Sequence, residues 1–130
     1  MTAALAPNRP SEHHAERQVA LKALQRIAES WGLEKRELPR LLSRPARTVR
    51  DWLTRQRRDA LDPDVLERIS HLVNIYDGLH RLFGDGDYAD RWITEPNGAF
   101  DGRAPAELLL SGSFTSLLEV RQYVDRALQF

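Results

Sequence analysis

Apolar residues recur every three or four positions along most of this chain, which is the spacing of one face of an α-helix. The pattern predicts a first helix that starts at His13 or Ala15 and ends at a left-handed cap, Gly32. A short helix follows around Leu38–Leu42, and another restarts with Pro45 at its first position. Because no stretch shows the period-two alternation of a β-strand, we predict an all-α fold.

The longest apolar stripe follows a strong helix start. Asp62 is suited to cap a helix whose first residue is Pro63, and the helix is predicted to run to Phe83 and stop at Gly84. A stripe of this width is more typical of a bundle core than of a two-stranded seam, although it could also dimerise. Its members lie 4, 3, 4, 3 and 4 residues apart: Val65, Ile69, Leu72, Tyr76, Leu79 and Phe83.

Three shorter helices are predicted after this one. The first carries Trp92 and ends before Pro96, because the residue before a proline avoids helical geometry. The second opens at Pro105 and stops at Gly112. The last is capped by Ser113 or Thr115, and its apolar face is formed by Leu117, Val120, Val124 and Ala127.

The stretch from Leu38 to Arg58 has the pattern of a helix-turn-helix, a DNA-binding unit. Its two short helices are separated by a break at Ser43-Arg44, and the second helix has an apolar face made by Val49, Trp52 and Leu53. The outer face is either simply solvated or contacts a duplex, and we favour the duplex because Lys35 to Arg58 holds nine Lys or Arg against two acidic residues. The predicted DNA contacts are Arg44, Arg47, Thr48, Arg50, Asp51, Arg55, Arg57 and Arg58, with Arg47 as the first candidate for a base contact.

The net charge of zero conceals an uneven distribution. Residues 1–60 contain 13 Lys or Arg and 7 Asp or Glu, whereas residues 61–130 contain 6 and 12. Only the basic half is therefore expected to face nucleic acid, and the acidic half is expected to face a different partner. We predict a mobile arm over residues 1–12, a helix-turn-helix domain over residues 13–60, and a second functional domain over residues 61–130.

Several function classes find no support in the sequence. The chain has no Cys, no apolar run long enough to span a membrane and no signal peptide, so a cytoplasmic location is expected. Adjacent His13 and His14 point apart on a helix, and His71 and His80 share no carboxylate at a useful spacing, so we expect satisfied or exposed histidines. The segment 85–90 lacks the ligand spacing of a calcium loop. We predict no enzyme, no metal site and no cofactor.

The order of motifs in the second half resembles the toxin-binding domain of the Xre/MbcA/ParS-like antitoxins, which are partners of RES-domain toxins. The stretch Leu38–Leu53 resembles the Xre-like helix-turn-helix half of the same family, so the resemblance covers nearly the whole chain after the arm. The motifs of the second half are Trp92-Ile93, Pro96-Asn97, Phe100-Asp101-Gly102, Pro105, Glu107-Leu108-Leu109, Gly112, Val120 and Tyr123-Val124-Asp125.

This resemblance implies an N-terminal half that binds the operator of its own operon and a C-terminal half that masks a toxin acting on NAD. An acidic half agrees with that role, because a pocket that accepts a pyrophosphate should be lined with positive charge. Trp92, Phe100, Leu108 and Leu109 are expected to hold the domain together rather than contact a partner. The residues predicted at the toxin interface are Arg103, Glu107, Arg121, Asp125 and Phe130.

The leading hypothesis is thus an antitoxin of a type II toxin–antitoxin system that binds a RES-domain toxin and represses its own operon, as a homodimer or larger assembly. An alternative is a free-standing transcription regulator whose C-terminal helices only dimerise. A third is an accessory subunit with a degenerate DNA-binding half, since Pro39 is tolerated in its helix only if that helix starts near Glu37.

Overall fold

The computed structural model describes residues 10–54 and 61–129, and the regular secondary structure in these ranges is entirely helical. The all-α prediction is therefore confirmed. The α-helices are α1 (Pro10–Ser30), α2 (Leu38–Leu42), α3 (Ala46–Thr54), α4 (Pro63–Phe83), α5 (Asp87–Trp92), α6 (Pro105–Leu110) and α7 (Phe114–Ala127). Two short 3-10 segments, Lys35–Glu37 and Gly98–Phe100, lie between them.

Helix α1 is longer than the sequence indicated. It begins at Pro10, three residues before the predicted start at His13, so residues 10–12 are helical rather than part of an arm. Residues 1–9 lie outside the described residues. A proline at the first position needs no hydrogen-bond partner, which makes the earlier start possible. The helix ends before Gly32, whose φ of +73° gives the predicted left-handed cap.

The helix-turn-helix forms around a left-handed turn at Ser43, with φ 53° and ψ 48°. Pro39 lies in the first turn of α2, where its missing N–H is tolerated, as predicted. Pro45 was predicted as the first residue of α3, but α3 begins one residue later, and the Pro45 carbonyl accepts the first helical bond from the N–H of Val49 at 3.1 Å. The side chains of Val49 and Trp52, on the inner face of α3, are buried.

Helix α4 lies at the centre of the fold. Its start is capped by Asp62, whose carboxylate accepts from the N–H of Val65 at 2.9 Å, and it ends before Gly84 at φ +80°, as predicted. It packs against both α1 and α7. Its apolar stripe is buried in the core, except that Tyr76 is half-buried and Phe83, predicted as a core residue, is 40% exposed.

The C-terminal helices are held together by stacked aromatic side chains. Trp92 stacks on Tyr123 with ring centroids 5.9 Å apart, and Phe100 meets Tyr123 edge-on at 5.4 Å. Leu108 and Leu109 are buried beside them. The expectation that Trp92, Phe100, Leu108 and Leu109 stabilise the domain from inside is confirmed.

Helices α4 and α7 approach most closely at Gly78. A Cβ atom added to Gly78 would lie 2.5 Å from Cγ1 of Val124 and 3.3 Å from Cδ1 of Leu128. Val124 is buried and cannot move aside without opening the core. Glycine is therefore required here by the space between two helices.

We predict that Gly78→Ala lowers the free energy of unfolding. Overpacking of a well-filled core costs about 1–3 kcal/mol, which exceeds the helix preference of Ala over Gly, about 1 kcal/mol at most. Urea denaturation of the full chain measures the change. Gly86→Ala serves as the control, because a Cβ atom there meets nothing within 4 Å. A Gly78→Ala variant at least as stable as the wild type would contradict the close approach.

Candidate functional site

The outer face of α3 carries the residues predicted to contact DNA. Arg47 and Arg50 are exposed, whereas Thr48 and Asp51 are half-buried. Neither arginine side chain forms a hydrogen bond or ion pair with another described residue, so both guanidinium groups are available to a ligand. Because Trp52 is buried on the opposite side, the helix is anchored from behind while its arginines face solvent.

Other basic side chains near α3 have partners within the fold. Arg36 pairs with Glu34 at 2.9 Å, and the Nε–H of Arg40 donates to the carbonyl of Leu110 at 3.1 Å. The second bond joins α2 to the end of α6, and so ties the helix-turn-helix to the C-terminal helices. The predicted DNA contacts Arg55, Arg57 and Arg58 lie outside the described residues.

Arg44, another predicted DNA contact, forms an ion pair with the helix cap Asp62. Its Nη2 lies 2.9 Å from Oδ1 and its Nε lies 3.2 Å from Oδ2, which is a two-point contact. Burial alone would raise the pKa of Asp62, but the hydrogen bond from Val65 and the bond and charge of Arg44 outweigh it, so the pKa lies below its ordinary value. The pair fixes the turn before α3 to the start of α4.

A groove of about 410 Å³ runs beside α3, between this helix, α1 and the Lys35–Glu37 segment. Its lining combines the apolar side chains of Val49 and Leu53 with the basic side chains of Lys35, Arg36 and Arg50. The side chains that define it include Gln25, Lys35, Arg36, Val49, Arg50 and Leu53.

Of the predicted toxin contacts on α7, Arg121 pairs with Asp125 on its own helix and also reaches His71 on α4. The Nε–H of Arg121 donates to Asp125 at 3.0 Å, and its Nη1–H donates to Nδ1 of His71 at 2.9 Å. Partial burial and then the charge of Arg121 lower the pKa of His71. The imidazole is therefore neutral and accepts this bond. Glu67, one helical turn away on α4, lies 3.9 Å from Nε2 of the same ring, so His71 is a satisfied histidine, as predicted.

The other predicted toxin contacts lie around the start of α6. The carboxylate of Glu107 accepts from the N–H of Ala104 at 2.7 Å, and the Nε–H of Arg103 lies 3.4 Å from the carbonyl of Phe100. Both side chains are exposed. Phe130 lies outside the described residues. The described candidates thus belong to two separate networks, one at α6 and one on α7.

Sequence reasoning missed a polar cluster at the end of α4. Nε2 of His80 lies 3.0 Å from Asp90, Nδ1 lies 3.4 Å from Asp85, and the ring is 4.3 Å from that of Tyr76. His80 is thus a satisfied histidine, and its carboxylate partners differ from that of His71, as predicted. These acids lie five and ten residues further along the chain, and only the turn after Gly84 brings them back onto α4.

Within the described ranges, no helix is long and apolar enough to cross a membrane. The same ranges bring no three His, Asp or Glu side chains into an arrangement that could hold a metal ion.

We predict that the stability advantage of the wild type over Asp62→Asn disappears in acid. Asn retains the cap, so near neutral pH the variant loses only the ion pair, at most about 1 kcal/mol for a pair this exposed. Because the folded-state pKa is lowered, the unfolded chain binds more protons as pH falls through the ordinary Asp value of about 3.9. The wild type then loses the stabilisation that the ionised Asp62 carboxylate provides, whereas the variant has no such contribution to lose.

Urea midpoints measured between pH 7 and pH 3 test this expectation. Asp64→Asn is the control, because it removes a carboxylate from the same first turn but leaves the bond between Arg44 and Asp62 in place. A difference between wild type and Asp62→Asn that stays constant over the whole pH range would contradict the ion-pair assignment.

Comparison with known proteins agrees with this arrangement. Residues 11–74 match the antitoxin Xre-like helix-turn-helix domain, and residues 79–128 match the antitoxin Xre/MbcA/ParS C-terminal toxin-binding domain. The chain is also 35% identical over 126 residues to "Uncharacterized protein y4oB" of Sinorhizobium fredii (strain NBRC 101917 / NGR234), with 96% of each chain covered. The two matched segments occur in the same order along the chain as the helix-turn-helix and the C-terminal helices described above. The chain belongs to the Xre/MbcA/ParS family of antitoxins.

Proposed function

We propose that this protein is the antitoxin of a type II toxin–antitoxin system, that it binds and masks a RES-type toxin acting on NAD, and that it represses its own operon as a homodimer or larger assembly. The observation that carries the proposal is the exposed pair Arg47 and Arg50 on a helix fixed to the same core as the toxin-binding helices. Both predicted activities then belong to one folded unit. The chain would inhibit the toxin by binding to it, without a catalytic step of its own.

The DNA part of the proposal rests on α3. Its N-terminal half would enter the major groove, where the guanidinium of Arg47 can form two bonds with guanine. Lys35 and Arg36, across the groove beside α3, would approach a phosphate strand. With Arg55, Arg57 and Arg58 about six phosphate contacts are expected, and the affinity should then fall with salt at a log–log slope near −5.

The toxin part rests on the charge of the C-terminal half. Residues 61–130 carry twice as many acidic as basic side chains. A toxin pocket that accepts a dinucleotide is expected to be basic, so an acidic surface is suited to cover it. Glu107 and Asp125 are exposed or half-exposed on this half and supply carboxylates on two different faces.

A growth assay tests the proposal. We expect the product of the neighbouring gene to be a RES-domain protein that stops growth when expressed alone, and the full chain to restore growth. Arg47→Ala should also restore growth, because it alters only the DNA face. Whole-chain variants are used because α4 packs against both α1 and α7, so a cut between residues 60 and 61 would expose its stripe. A harmless neighbour, or no restoration by the full chain, would remove the toxin from the proposal and leave a free-standing regulator.

For DNA, Arg47→Ala is expected to lose about 1–3 kcal/mol of operator binding, as for a base contact, with a smaller loss on random DNA. Fluorescence anisotropy with operator and random duplexes measures both affinities. Arg126→Ala, an exposed arginine on α7, is the matched control and should bind both duplexes like the wild type. Equal losses on the two duplexes would show that Arg47 contacts a phosphate instead of a base.

A further inference from the structure

Two exposed aromatic side chains lie together where α4 turns into α5. Phe83 is 40% exposed and Tyr88 is 47% exposed, and their rings meet edge-on with centroids 4.8 Å apart. The guanidinium of Arg91 lies 5.9 Å from the Tyr88 ring. In the part of the chain that the structure describes, the one other large exposed hydrophobic residue is Val19, on α1. We name the adjoining pair the aromatic corner.

Asp85, which lies between Phe83 and Tyr88 in the chain, also lines an acidic pocket. The pocket has a volume of about 450 Å³ and lies between the C-terminal half of α4 and the end of α7. Asp77, Asp85 and Asp125 line it, with Arg81 as the one basic residue of its lining. The side chain of Asp85 is 98% exposed. An apolar contact flanked by carboxylates is suited to a protein partner that offers an apolar side chain beside Lys or Arg.

We propose that the aromatic corner and the acidic pocket form one contact surface for the toxin. An apolar toxin side chain would pack on Phe83 and Tyr88, and a toxin Lys or Arg would enter the pocket. This inference rests on the proposed function. It also assigns a binding role to Tyr88 and to Phe83, which the apolar stripe of α4 had placed in the core.

Two observations select the toxin over other occupants. Phe83 and Tyr88 lie within residues 79–128, the segment that matches the toxin-binding domain, and the predicted toxin contact Asp125 lines the same pocket. The surface is therefore continuous with the α7 residues expected at that interface. Its carboxylates would repel DNA phosphates, and they would also repel the same surface on a second copy of the chain.

The test compares a double variant, Phe83→Ser with Tyr88→Ser, with the wild-type chain. Both are titrated against the purified RES-domain protein encoded beside the chain, and separately against operator DNA. We expect the double variant to bind the toxin at least about tenfold more weakly, as for loss of central aromatic contacts. Operator affinity should not change. Val19→Ser is the matched control, since it removes an exposed apolar side chain from α1.

Asp85→Asn provides a second readout that does not alter the aromatic packing. It should weaken toxin binding severalfold at low salt and have little effect at high salt, because the lost contact is electrostatic. Toxin affinity equal to the wild type in both variants would overturn the inference. Loss of self-association with unchanged toxin affinity would also overturn it, by assigning the corner to a second copy of this chain. A wild-type chain that does not bind the toxin would overturn the proposed function itself.

Discussion

Burial of the apolar stripe of α4 is the constraint on which the rest of the structure depends. A helix of 21 residues with a wide apolar face cannot be stable in water unless that face is covered. Helices α1 and α7 both pack against it. The buried residues consequently form one continuous core that includes Trp31 and Trp52 as well as Trp92. The two family domains meet within α4, and neither has a core of its own.

Polar bonds fix the orientation of the recognition helix relative to this core. Arg44 binds the cap of α4, and Arg40 binds the last carbonyl of α6. The turn at Ser43 also lies against Gly112, where an added Cβ would be 3.6 Å from the Ser43 hydroxyl. Two arginines close to the recognition helix therefore have structural partners, while Arg47 and Arg50 remain exposed. The arginines of this short segment thus form two groups, one bound within the fold and one exposed to solvent.

Local signals in the sequence were enough to predict most of the helices. Asp62-Pro63, Gly32 and Gly84 each act through the backbone of their own turn, so they define helix ends without knowledge of the fold. The start of α1 was missed because Pro10 and the polar residues after it carry no apolar periodicity. The partners of Arg44, His71 and His80 depend on how elements pack, since Arg44 and Asp62 are 18 residues apart and His71 and Arg121 are 50 apart. Phe83 fitted the stripe by spacing, but the helix extends beyond the core at that end.

The shared helix also bears on how the chain is removed from a cell. A protease acts on an opened chain, and opening α4 exposes the core beneath the DNA-facing and toxin-facing helices at once. Neither surface would survive as a folded fragment after such a cut, so no half-active remnant would accumulate. The lifetime of both surfaces is set by a single unfolding equilibrium, that of α4 between its two neighbours.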